Sequence, residues 1–147
     1  MAIPDLTTAG LLPRGVHQAT LDEVKLSFGS RTPRRVELFN KLVDFIELAK
    51  TFNLFKAIHI DGSFVTDKDD PGDIDAVLEL TKAEAARLLA HPNAAAIIDA
   101  AAVKHQYEIH LFFPPQMVEF FQRLKPSEAI ARSLAPDHWR GILKVDL

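Results

Sequence analysis

The chain has 147 residues, a formal charge of −3, 48% apolar and 25% charged residues. This composition suits one globular domain that buries roughly two-thirds of its unfolded surface. The absence of cysteine excludes disulfides and thiolate metal centres. The slightly acidic balance gives no footprint of a protein that coats nucleic acid, so a nucleic-acid partner is possible but not supported by charge.

Residues 1–19, with Pro4, Gly10, Pro13 and Gly15 and no period, predict an extended N-terminal arm over the domain surface. Thr20-Leu21-Asp22-Glu23 has capping-box spacing and predicts a short helix ending near Gly29. From Pro33 to about Phe52 the residues Val36, Phe39, Val43, Ile46 and Ala49 recur at helical spacing, which predicts a long helix packing that stripe on a sheet. Arg31, Arg34 and Arg35 at its start form a local basic cluster, open either to RNA or phosphate or simply to solvent.

Two strands are predicted next, Ala57–Asp61 and Asp73–Leu80. Thr81-Lys82-Ala83-Glu84 is a second capping box, starting a helix to about Ala90, and an alanine-rich helix is expected from Asn93 to Val103, with Pro92 in its first turn. Tyr107–Phe113 has strand composition and stops at Pro114-Pro115; Gln116–Leu124 reads as a short helix and Ile142–Val145 as a last edge strand. No apolar stretch is long enough to cross a membrane and the start lacks a signal-peptide pattern, so a cytoplasmic location is expected.

Chemistry concentrates between the first two strands after the long helix. Gly62-Ser63 ends one strand, a polar loop carries Thr66 and Lys68, and Asp73-Ile74-Asp75 opens the next. Alternation puts Asp73 and Asp75 on one face. Paired carboxylates beside a glycine turn suit a hard divalent cation and a polyphosphate; the same residues also fit an ordinary strand-end turn before a solvated acidic strand. Apolar Leu78 and Leu80 on one parity and Val77 on the other imply a strand buried on both faces, an unfavourable place for idle carboxylates. A helix-flanked calcium loop starting at Asp67 is excluded, since Pro71 and Leu78 fall where ligands are needed. Lys68 is placed to reach phosphate and Thr66 to support Ser63, although both also read as solvated loop residues.

This pattern resembles the signature of the nucleotidyltransferase superfamily of DNA polymerase beta and kanamycin nucleotidyltransferase: an apolar residue, Gly, Gly or Ser, a short gap, then Asp, apolar, Asp or Glu, apolar. A wider likeness is to an uncharacterised bacterial subgroup of minimal nucleotidyltransferase-like proteins. It is carried by Gly10-Leu11-Leu12-Pro13-Arg14-Gly15-Val16-His17, Phe28-Gly29 and Arg140-Gly141-Ile142-Leu143. The resemblance implies an α/β (α+β) fold, with a short mixed sheet of about three to five strands and packed helices.

It also implies Mg2+ or Mn2+ on Asp73 and Asp75, an NTP whose phosphates meet Gly62 and Ser63, with Lys68 in support, and a third acidic position on a later strand. Only Tyr107–Phe113 suits that strand. Glu108 and His110 share a face there by alternation; His110 takes the place of the expected aspartate, with Glu108 as the nearest carboxylate for the metal. Nucleoside monophosphate transfer to a hydroxyl of a protein, an RNA or a small molecule is implied, with a partner protein supplying or being the acceptor. The alternative is a binding module of the same fold without turnover, such as a component of a toxin–antitoxin pair. His17 and His59 read as core or edge histidines, the remaining histidines lack zinc spacing, and Trp139 reads as a packing residue rather than a platform for a base.

Overall fold

A computed structural model describes residues 3–113, 122–135 and 138–147. Of the expected Gln116–Leu124 helix, residues 116–121 lie outside the described residues, and 122–124 are not helical, Arg123 forming a β-bridge with Trp139. In chain order the elements are β1 (Gly15–Gln18), α1 (Leu21–Phe28), α2 (Pro33–Phe52), β2 (Ala57–Asp61), a 3-10 turn (Ser63–Val65), β3 (Ile74–Glu79), α3 (Lys82–Ala90), α4 (Ala95–Ile98), α5 (Ala100–Tyr107), β4 (Ile109–Phe112), α6 (Pro126–Ala131) and β5 (Gly141–Asp146). The fold is α/β, with a five-stranded mixed sheet in the order β1-β5-β2-β3-β4. β2 runs antiparallel to β3 and β5, and β1–β5 and β3–β4 are parallel. The parallel β3–β4 pair needs a crossover, which α3, α4 and α5 supply.

One face of the sheet carries Ile58, Ile60, Ile74, Ala76, Leu78, Ile109, Leu111 and Leu143 into a core with Val24 of α1 and Leu38, Leu42, Phe45 and Ile46 of α2. The other face carries His59, Asp61, Asp75, Val77 and His110 by alternation. The register places Asp61 opposite Asp75 and Asp75 opposite His110, one polar row across β2, β3 and β4. Next to that row, Val77 and Ile142 are fully buried.

Both capping boxes form as expected, Thr20 with Glu23 and Thr81 with Glu84. Four expectations change. In α2 Phe39, Ile46 and Ala49 of the expected stripe are buried, but Val36 is 41% exposed, and Arg35, Leu38, Leu42, Phe45 and Phe52 complete the buried face. An apolar-only period discards Arg35 and so slides toward the helix flank. The alanine-rich helix is two helices, because Asp99 takes an extended ψ of 95° and its carboxylate caps α5 at Ala102 N. Tyr107 ends α5 instead of opening a strand, its ring edge-on to Phe45 at 5.3 Å. Glu108 follows as a left-handed cap with φ 54°, so it is not a strand residue. Finally, β5 is interior: the arm contributes β1 as the edge beyond it, and Leu11 and Leu12 of the arm are buried. No helix among the described residues is long and apolar enough to cross a membrane.

Candidate functional site

β2 ends at Asp61, and Gly62 turns the chain with φ 82° and ψ −165°, a region closed to side chains other than glycine's. A second reason for glycine is packing: a Cβ there would stand 2.7 Å from Asp75 Oδ2 and 3.1 Å from its Cγ. The Asp75 carboxylate therefore lies directly against the glycine turn. The Thr66 hydroxyl donates to the Ser63 carbonyl at 2.7 Å, which is the support expected of it, and Thr66 is buried rather than solvated. The Ser63 hydroxyl has no hydrogen-bond partner among the described residues.

The loop between Gly62 and Asp73 is held by the start of α2. Arg35 is fully buried and donates to the carbonyls of Phe28 (3.0 Å), Phe64 (2.6 Å), Thr66 (2.7 Å) and Lys68 (2.6 Å). Burial, with Arg31 nearby, pushes its pKa down to about 10, which leaves it charged at neutral pH. Arg31 donates to the carbonyls of Asp67 and Lys68, and Arg34 to those of Pro71 and Gly72. The basic cluster is thus an internal clamp on the loop. Lys68 is exposed and serves the clamp through its carbonyl. Asp67 N donates to the Gly10 carbonyl of the arm at 3.1 Å, and Arg132 bridges Ala9 O and Asp67.

The carboxylates have different environments. Asp73, just before β3, pairs with Lys104 of α5. Asp75 accepts no hydrogen bond from a described residue; burial, then the charge of Asp73, push its pKa up, against the pull of His110, Lys125 and Lys104. His110 Nδ1 lies 3.6 Å from Asp75 Oδ1, outside hydrogen-bond range, and its ring packs on Phe112. Asp61 is buried beside Arg140, Nε to Oδ1 3.1 Å, yet the contact lacks hydrogen-bond alignment and leaves both atoms without a hydrogen bond. Its carboxyl is pushed up to about 6, chiefly by burial, with Asp75 adding and Arg140 opposing. Arg140 also donates to the Gly62 carbonyl at 2.8 Å.

The sequence-predicted residues therefore divide. Gly62, Ser63, Asp73, Asp75 and His110 come together. Glu108 is turned to Arg34 (2.9 Å) and Lys41 (2.7 Å), and Lys68 lies on the clamped loop. Asp61, Lys104 and Arg140 belong to the site and were not singled out; the one available signal for Asp61 was its place immediately before Gly62. Among the described residues no three His, Asp or Glu converge as a complete metal cage. A magnesium ion needs only one or two carboxylates when phosphate oxygens and water fill its shell. The orphaned Asp75 carboxylate, Asp73 beside it and the glycine cradle fit that smaller donor set.

The Arg34 and Lys41 partners hold the Glu108 carboxyl down to about 2. A depressed carboxylate adds stability above its unfolded pKa of about 4.5, lost as pH falls toward the folded value. Solvent screens this pair, so Glu108→Gln should cost about 1 kcal/mol at neutral pH, a drop of about 2–4 °C in Tm. Melting curves should show the gap from wild type closing between about pH 4.5 and pH 2. A gap constant over that interval would place its origin outside the ion pair.

The chain belongs to the family of unknown function DUF6932, whose profile matches residues 4–146. No curated protein and no solved structure matches the chain.

Proposed function

We propose that the protein is a metal-dependent nucleotidyltransferase that moves a nucleoside monophosphate from an NTP to an acceptor hydroxyl. The observation that carries this reading is the Asp75 carboxylate, packed on the Gly62 turn, half-buried, next to Asp73, and without a hydrogen-bond donor of its own. A carboxylate so placed is stabilised by a cation, and the Ser63 hydroxyl, without a partner among the described residues, suits a phosphate oxygen.

Bound Mg2+ or Mn2+ would neutralise phosphate charge and acidify the attacking hydroxyl. Asp73 and Asp75 would hold it. Lys104, which already pairs with Asp73, supplies a positive charge for the phosphates at the same edge. The acceptor oxygen forms a bond to the α-phosphorus, the α–β bridging bond breaks, and pyrophosphate leaves. The acceptor's proton passes to the imidazole of His110, exposed and beside Asp75. Arg140, through the Gly62 carbonyl, and Arg35, through the loop, hold the turn in place.

A second reading is favoured by one observation: β4 presents His110 in the row with Asp75, and Glu108 is engaged by two cations. On that reading the fold binds a nucleotide or a partner protein without turnover, as a toxin–antitoxin component would.

Thermal stabilisation by ATP, GTP, CTP and UTP, with Mg2+ and with chelator, tests the donor site. One nucleotide at about a hundredfold over its Kd should add about 2.7 kcal/mol, only with metal, and the gain should vanish in Asp73→Asn/Asp75→Asn. Stabilisation by none of the four would sink the enzyme reading. Stabilisation without pyrophosphate release in the presence of a supplied acceptor would favour the second.

A further inference from the structure

On the arm side of the Gly62 turn lies a cleft of about 490 Å³, lined in part by Thr7, Leu11, Leu12, Arg14, His138 and Trp139. Its size falls in the range of small-molecule sites. It does not include Asp73 or Asp75. The cleft is tied to the turn on two sides: Leu11 pairs with Thr66, and Arg140, next to Trp139, holds the Gly62 carbonyl.

Trp139 is fixed by backbone pairing. It bridges to Arg123, Leu124 N donates to His138 O at 3.0 Å, and Arg140 N to Gln122 O at 2.7 Å. Two guanidinium groups converge on its indole, Arg14 at 3.7 Å from the ring centroid and Arg123 at 5.2 Å. Among the described residues neither has a carboxylate partner. Two like charges on one ring repel, and the ring quadrupole offsets only part of that. An anion would offset the rest. The walls combine this charge with the apolar side chains of Leu11 and Leu12 and the hydroxyl of Thr7, so a ligand with a planar apolar part and a phosphate is accommodated at both ends.

We infer that this cleft is a second binding site, for a nucleoside phosphate whose base stacks on the outer face of the Arg14 guanidinium, itself laid on Trp139, and whose phosphate meets Arg14 and Arg123. The ligand is either a free nucleotide or the end of a single-stranded RNA, which share that chemistry. The site stands independently of the donor-site reading, since none of its residues belongs to the carboxylate row. Trp139 therefore backs the Arg14 guanidinium, a packing role as expected of it, and the exposed guanidinium plane is what meets the base.

Trp139 is the sole tryptophan of the chain, so its fluorescence reports on the cleft alone. The experiment titrates AMP, a single-stranded oligoadenylate and inorganic phosphate into the full chain with chelator present, following Trp139 emission and heat by calorimetry. AMP or the oligonucleotide should bind saturably and quench Trp139. Binding should weaken about tenfold or more in Arg14→Gln, in keeping with loss of one stacking and phosphate contact. Arg14→Lys should recover only part, since it restores charge without the plane. Asp73→Asn/Asp75→Asn should bind as wild type, which separates this site from the donor site. Binding by AMP assigns a mononucleotide source; binding by the oligonucleotide alone assigns a strand end. Heat and emission flat for both to about 5 mM, equal binding by phosphate alone, or an unchanged Kd in Arg14→Gln would each overturn the inference.

Discussion

Replacing Arg35 by methionine should lower stability by about 3–5 kcal/mol, the cost of breaking a buried charge network, and Tm by about 10–15 °C. Methionine fills similar volume but leaves the carbonyls of Phe28, Phe64 and Thr66 buried without their donor. The damage should be local as well as global. Amide exchange over residues 63–68 should rise more than over β2 or β3, because Arg35 is the group that ties the loop to α2. Arg35→Lys should recover less than half the loss. A lysine keeps the charge but offers three donors from one nitrogen, whereas the guanidinium spreads its bonds over several carbonyls. A loss below about 1 kcal/mol for the methionine variant, within the range of an ordinary surface change, would show that the loop holds its shape without the clamp.

Gly62→Ala should cost about 2–4 kcal/mol, in two separable parts. The backbone at φ 82°, ψ −165° strains any side chain by about 1–3 kcal/mol. The new Cβ also collides with the Asp75 carboxylate, 2.7 Å from Oδ2. The second part depends on Asp75. In an Asp75→Ala background the same glycine change should cost less, with a coupling energy of about 0.5–3 kcal/mol. Denaturation of the four proteins of this cycle measures it. Additivity within about 0.5 kcal/mol would mean that the carboxylate swings away freely and that its packing on the turn is loose. The cycle needs no nucleotide, so it tests the architecture of the site apart from its proposed chemistry.

The two experiments address different things that a glycine turn needs. Arg35 sets where the loop lies, and Gly62 sets how close a carboxylate can approach it. The Asp61–Arg140 contact adds a third constraint from the residue just before β5, since the same guanidinium meets Asp61 and the Gly62 carbonyl. Thus three separate segments, α2, β3 and the approach to β5, converge on one turn.

Local chemistry made much of this legible. Thr20 and Thr81 cap helices because hydroxyl, backbone and glutamate lie within four residues of each other, a relation that any chain with that spacing carries. β2 and β3 follow from β-branched and apolar runs closed by a turn. Gly62, Asp73 and Asp75 stood out for the same reason: a turn and two acids at short spacing join neighbouring antiparallel strands, which constrains their geometry. The α2 stripe was legible only to within one residue, because Arg35 faces inward and a hydrophobic period has no means to count a buried cation.

The rest depends on contacts between distant segments. Whether Arg35 meets solvent or carbonyls is settled chiefly by loop residues some thirty positions away, Ser63, Phe64, Thr66 and Lys68. Glu108 left the row of His110 because α5 runs on through Tyr107, whose ring packs on Phe45, and because Arg34 and Lys41 of α2 stand ready to pair with its carboxylate. β5 became interior only when residues 15–18 paired with it, across nearly the whole chain. By itself the sequence determined α1, α2 and α3, the β2–β3 pair and the glycine–aspartate turn, since their determinants are a few residues apart. The tertiary structure decided which charges are buried and which carboxylates face one another, since charge burial is a property of packing partners that no local pattern encodes.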